Sequence, residues 1–206
     1  YAGEFDKGQW QGQGEWHGGN GEVYRGQFNQ GLFDGQGSLT TNTGTYVGGF
    51  KSGRRDGEGT LKENGMTYRG EFKADQYSGL GRLELDDGSA YQGQFAKGKP
   101  NGEGQRGDGS GNQFTGRFID GQLEGNGTFN SADGDQYEGA FRNNQLNGKG
   151  RYENADGDVW IGDFKDGVNQ FPTGKRVDPA TFSEKWVKGL AAWWHTALTA
   201  RTPAWA

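Results

Sequence analysis

The sequence predicts an all-β protein: an elongated, single-layer antiparallel β-meander of hairpin repeats, closed by a capping α-helix at its C-terminal end. Three observations lead there. An aromatic-x-Gly-x-Phe motif recurs every 22 or 23 residues, a Gly-x-Gly pair follows eleven residues after every lead aromatic but the last, and Gly, Asn or Asp stands between the two. Composition rules out an ordinary globular core, since only 30% of residues are apolar and 42 are glycine. Such a balance marks disorder in most chains. Here aromatic residues reach 14% and hold fixed positions, so a repeated local interaction must supply the order.

The lead motif occurs as Tyr1-Gly3-Phe5, Tyr24-Gly26-Phe28, Tyr46-Gly48-Phe50 and Tyr68-Gly70-Phe72. It continues as Tyr91-Gly93-Phe95, Phe114-Gly116-Phe118, Tyr137-Gly139-Phe141 and Trp160-Gly162-Phe164. Side chains alternate faces along a strand, so the three residues of each motif share one face. The residues between them are mostly polar, as with Arg25 and Gln27, and face water. The second strand carries Gly12/Gly14, Gly35/Gly37, Gly57/Gly59, Gly79/Gly81, Gly102/Gly104, Gly125/Gly127 and Gly148/Gly150. An apolar residue follows two positions later, as Leu39 or Leu83 does, but Arg106 breaks this series in the fifth copy. The eighth copy lacks the glycine pair and ends the array.

Residues tolerant of positive φ stand seven positions after each lead aromatic: Gly8, Gly31, Gly53, Asp75, Gly98, Gly121, Asn144 and Gly167. A second turn closes each repeat around Gly21, Gly44, Gly65, Gly88, Gly111, Gly134 and Gly157, and the shorter spacings arise there. Glycine inside a strand normally weakens it. The reading that reconciles this is bare backbone on the aromatic face, on which rings from the same or the next hairpin lie flat.

The pattern Tyr-x-Gly-x-Phe-x-x-Gly-x-x-x-Gly-x-Gly, as in Gly21 to Gly37, resembles the MORN repeat (membrane occupation and recognition nexus). The resemblance covers eight copies over residues 1 to 174. It implies an elongated antiparallel sheet and a non-catalytic role in protein–protein interaction, self-association or positioning of an attached domain. It transfers no catalytic residue, cofactor or metal. The residues that carry the structure are then Tyr24, Gly26, Phe28, Tyr46, Gly48, Phe50, Tyr68, Gly70, Phe72, Tyr91, Gly93 and Phe95. Phospholipid binding is the alternative, and glycan recognition by exposed rings a second one.

Residues 175–206 form a separate segment. Asp178-Pro179 suits a helix N-cap and first turn, and Phe182, Trp186, Leu190, Trp193 and Ala197 recur at helical spacing to Ala200. This amphipathic helix is expected over about 179–200 as a cap on the array. Trp186, Leu190, Trp193 and Trp194 are its docking residues if it meets a partner or a membrane surface instead.

Other signals are weaker. The formal net charge of -5 with interleaved signs argues against nucleic acid and against general attraction to anionic lipid. Arg54-Arg55 is the one basic cluster and the candidate anion contact, otherwise a solvated turn. Arg106 is read as a local opening of the apolar face or a snorkelling side chain. With no cysteine, disulfides and thiol chemistry are absent, and the Gly-x-Gly pairs lie in strands rather than before a helix as phosphate loops require. Asp133-Gly134-Asp135 and Asp156-Gly157-Asp158 read as turns rather than calcium loops. No signal peptide or membrane-spanning run is read, and the chain begins inside a repeat, as a piece of a longer protein does.

Overall fold

The computed structural model describes residues 1–169. The predicted helix over 179–200, with Trp186, Leu190, Trp193 and Trp194, lies outside the described residues. The strands are β1 (Ala2–Asp6), β2 (Gln9–His17), β3 (Val23–Asn29), β4 (Leu32–Thr40), β5 (Gly44–Lys51), β6 (Arg54–Glu63), β7 (Met66–Lys73) and β8 (Gln76–Leu85). They continue as β9 (Ser89–Ala96), β10 (Lys99–Asp108), β11 (Gln113–Ile119), β12 (Gln122–Asn130), β13 (Gln136–Arg142), β14 (Gln145–Glu153), β15 (Val159–Lys165) and β16 (Val168–Asn169). No helix occurs among the described residues. Contacts group them into two compact units, Tyr1–Asp86 with Phe95–Gly98, and Asp87–Gln94 with Lys99 onward. Within each unit the strands pair antiparallel with their chain neighbours, which is the expected meander.

The hairpins form because each tip holds two successive residues in the left-handed region. Gln30 (φ 50) and Gly31 (φ 80) join β3 to β4, and the same geometry recurs in every copy. Two left-handed residues make a type I′ turn, whose twist matches that of the flanking strands. The sequence places the second of these residues but not the first, because position six holds Lys7, Gln30, Ser52, Ala74, Lys97, Asp120, Asn143 and Asp166, with no shared chemistry. Ala74 sits at φ 48 without a side chain that can hydrogen-bond locally. Ala74→Gly is therefore expected to stabilise the protein by about 1 kcal/mol, read as a raised urea midpoint.

The joining turns vary in length. Asn64-Gly65 is a two-residue turn between β6 and β7, while residues 18–22 and 131–135 form five-residue turns. The two 22-residue spacings contain the short connections 41–43 and 64–65. One assignment needs correction: Gly44 is the extended first residue of β5, not a turn residue. The turn before it is tied by Thr41, whose N–H donates to Gly44 C=O at 2.8 Å.

Glycines face one another across successive strands. In the first unit Gly3, Gly14, Gly26, Gly37, Gly48, Gly59, Gly70 and Gly81 form one unbroken row. In the second unit Gly104, Gly116, Gly127, Gly139, Gly150 and Gly162 do the same. The row is the floor on which the lead tyrosines lie. A Cβ on Gly37 would stand 2.5 Å from Cε2 and Cζ of Tyr24, so the ring rests on bare backbone. The Tyr24 hydroxyl donates to Gln27 C=O at 2.9 Å and pins the ring there. Tyr1, Tyr46, Tyr68, Tyr91 and Tyr137 repeat the bond to the equivalent carbonyl.

Only half of the glycine reading survives for the Gly-x-Gly pair. Its second member is floor, but its first sits at a bulge with positive φ, such as Gly35 at φ 92. The space above Gly35 is filled by Gln27, whose Oε1 accepts the Gln36 N–H at 2.8 Å. Glu4, Glu71 and Gln94 accept the matching N–H in their own repeats. The sixth copy also departs from the pattern. Phe114 has no hydroxyl to pin it, and it tilts against Phe129 at 4.9 Å while Phe141 approaches Gly127 instead.

A third tier closes the stack. Phe33, nine residues after Tyr24, lies parallel to it at 3.8 Å, and Tyr77 lies on Tyr68 at 3.9 Å. Phe28 and Phe50, from the same and the following repeat, meet Tyr24 edge-on at 5.1 and 5.0 Å. Offset and edge-on pairs of this kind suit the aromatic quadrupole. Consecutive repeats are also tied through backbone, since Gly31 N–H donates to Trp10 C=O and Gly53 N–H to Phe33 C=O.

Burial pushes the Tyr46 and Tyr137 hydroxyls up to about 12, and those of Tyr24, Tyr68 and Tyr91 are raised as well. The folded state thus keeps protons that an unfolded tyrosine releases near pH 10. This stabilisation is fully present below that pH and is lost as pH climbs through about 12. Urea midpoints are expected to fall steeply above pH 10, with phenolate absorbance rising only as the sheet unfolds.

Candidate interaction surface

The two faces of the sheet differ in what they leave available. On the ring face Tyr24, Phe28, Tyr46, Phe50, Tyr68, Phe72, Tyr91 and Phe95 are all buried, and Gly26, Gly48, Gly70 and Gly93 lie between them. These residues are spent on holding the array together.

Arg54 and Arg55 are not one basic cluster. Adjacent in β6, they alternate faces; Arg54 is exposed while the Arg55 side chain is 11% exposed. Arg55 takes the place that Phe33 and Tyr77 hold in neighbouring repeats, beside the Tyr46 and Phe72 rings at 5.8 and 5.3 Å. Its Nε donates to Asp75 Oδ1 at 3.1 Å. The expectation of a solvated turn is therefore corrected for Arg55, because an aromatic-face position and a carboxylate partner draw it inward. Arg106 is corrected likewise. It is 4% exposed, opposite Phe114, and neither opens the face nor snorkels. Burial pulls its guanidinium down to about 10, against the opposing influence of Asp108 and Asp87.

The solvated face carries exposed ion pairs: Arg25 with Glu15 at 2.8 Å, and Glu84 with both Arg69 and Arg82 at 2.7 and 2.9 Å. Hydrogen bonds from Arg82 and then Arg69 hold the Glu84 carboxyl below the usual range. Such exposed pairs add little stability. Across β1–β5 this face forms a shallow open groove lined by Gln13, Glu15, Arg25, Gln36, Ser38 and Val47, with Gly14, Gly26 and Gly37 among its walls. Val47 is 55% exposed, and Leu80 on β8 is 64% exposed. Sequence reasoning passed over both. The available signal was an apolar residue at a position that is polar in most other copies.

Asp133-Gly134-Asp135 and Asp156-Gly157-Asp158 lie in joining turns, where Gly134 N–H donates to Ser131 C=O at 3.2 Å and Gly157 N–H to Asn154 C=O at 2.9 Å. Among the described residues no group of three or more His, Cys, Asp or Glu could hold a metal ion, and no helix is long and apolar enough to cross a membrane.

An antiparallel meander with a glycine floor and a lead aromatic ring in each hairpin defines a β-hairpin repeat protein. The MORN repeat model matches residues 1–23, 24–45, 46–67, 68–90, 91–113, 114–136 and 137–159, and the chain belongs to the MORN repeat family. Seven copies match, one fewer than the motif count. The eighth motif, Trp160-Gly162-Phe164, nevertheless forms β15 and pairs in register with β14, Gly162 opposite Gly150. Among curated proteins none matches the chain.

Proposed function

We propose that the chain is a non-catalytic scaffold that binds a protein partner through the solvated face of its hairpin array. One observation carries this reading: the ring face is consumed by its own packing, whereas the other face offers a groove and the exposed side chains Val47 and Leu80. A mixed face of charges, amides and isolated apolar residues is the ordinary composition of a transient protein interface. Glycan recognition would need exposed rings, and the lead rings from Tyr24 to Tyr137 are buried. A lipid surface would draw on Arg54 alone of the basic pair, since Arg55 is engaged by Asp75.

A photo-crosslinking amino acid at Val47, irradiated in extract of the source cells, tests the proposal. One adduct of defined mass is expected, suppressed by excess unlabelled chain and by Leu80→Glu. Absence of any saturable adduct, or the same adduct from a label at Lys7, would overturn it. Flotation with anionic vesicles that disappears in Arg54→Ala would move the reading to a lipid surface.

A further inference from the structure

Four bulges of the array are capped in the same way. Beside Gly12, Gly35, Gly79 and Gly102, a side-chain oxygen of Glu4, Gln27, Glu71 or Gln94 fills the space and accepts the next backbone N–H. The cap always comes from the residue three after the lead aromatic. In the seventh copy that residue is Ala140, which has no acceptor to offer. The bulge itself is unchanged. Gly148 has φ 93 where Gly35 has φ 92, and β13 pairs with β14 through the same register shift that β3 and β4 show. A Cβ on Gly148 would meet only the Ala140 Cβ, at 3.4 Å. The Lys149 N–H therefore stands at a notch where the other copies hold a Glu or Gln side chain. Copies three and six lack an acceptor too, but Asp56 C=O crowds Gly49 in the one and the long Arg117 stands at the other.

We propose that the notch between Ala140, Gly148 and Lys149 binds the carboxylate of an acidic side chain presented by a protein partner. The donor is already fixed by the sheet, so a guest oxygen orders nothing further in the chain. Lys149 decides for carboxylate over amide. In the capped bulges the residue offering its N–H is Gln13, Gln36, Leu80 or Glu103, whereas here it brings an ammonium. Hydrogen bonds to a charged group are about twice as strong as neutral ones. Two carboxylates lie on the neighbouring strands. Glu138 stands opposite Arg151, which Glu153 also holds, and Asp163 stands opposite Lys149. Among the described residues Lys149 nevertheless forms no ion pair, and it is exposed.

The notch belongs to the second unit and Val47 to the first. Its test needs no partner, so its outcome is independent of the Val47 adduct.

Nitrogen–proton correlation spectra of the full chain, titrated with N-acetylglutamate at pH 7 and constant ionic strength, provide that test. The Lys149 amide proton should shift downfield and saturate, with dissociation on the order of 10 mM. N-acetylglutamine should bind about fivefold more weakly, and Lys149→Gln should remove that preference. Ala140→Gln should fill the notch from within, abolishing the response and slowing exchange of the Lys149 amide about fivefold. The Gln36 amide, already capped by Gln27, should stay still in the same spectra. No saturable shift at Lys149, or an equal one at Gln36, would overturn the proposal. So would equal binding of acid and amide, or a response that survives Ala140→Gln.

Discussion

Gly26→Val is expected to lower stability by more than about 3 kcal/mol, because it drives a branched side chain between two strands of the glycine floor. A Cβ at Gly26 would stand 2.5 Å from the Gly37 Cα, 2.6 Å from the Gln36 carbonyl oxygen and 2.7 Å from the Tyr24 hydroxyl oxygen. Two of these are backbone atoms of β4, so no rotamer change relieves the overlap. The strands must part, and the ring that rests on them must lift. Each repeat leans on its neighbours, so the damage should begin in β3 and β4 and show first as lost amide protection there. The proper control is Arg25→Ala, an exposed change on the other face, expected within about 0.5 kcal/mol of the parent. Gln27 would be a poor control because its side chain caps the bulge at Gly35. Equal urea midpoints for Gly26→Val and Arg25→Ala would mean that close strand approach contributes nothing.

The parts of this fold that the sequence discloses are those where one residue type is physically required. Only a bare backbone admits the Tyr24 ring over Gly37, and only left-handed backbone closes the tip at Gly31, so both positions repeat in recognisable letters. The third tier was illegible for the opposite reason. The position nine residues after the lead aromatic needs a flat or bulky filler of no fixed chemistry, and it holds Trp10, Phe33, Arg55, Tyr77, Pro100, Leu123 and Leu146. The first tip residue is hidden likewise, because its conformation is imposed by the turn rather than chosen by the side chain. The candidate interaction surface was the least legible. Val47 and Leu80 are ordinary strand residues until the fold shows which face they leave open.

Arg55 offers the sharpest test of how much the third tier accepts, and Asp75→Gly alone is expected to lose about 3–5 kcal/mol. Asp75 occupies a tip position that is glycine in six other copies, at φ 71, so glycine there relieves backbone strain. The loss must then come from elsewhere. Asp75 Oδ1 accepts both the Arg55 Nε–H at 3.1 Å and the Arg55 backbone N–H at 3.0 Å, and the two side chains are only 11% and 13% exposed. Removing the carboxylate leaves a guanidinium charge among the Tyr46 and Phe72 rings. Arg55→Phe alone should also destabilise, by leaving the carboxylate desolvated. The double variant restores what the second repeat already has, Phe33 beside Tyr24 with Gly31 at its own tip and Gly53 at the next. It should return to within about 1 kcal/mol of the parent, a coupling of at least about 2 kcal/mol between the two sites. Strictly additive losses would show instead that the third tier demands this ion pair, and that an aromatic filler cannot replace it on the Tyr46 ring.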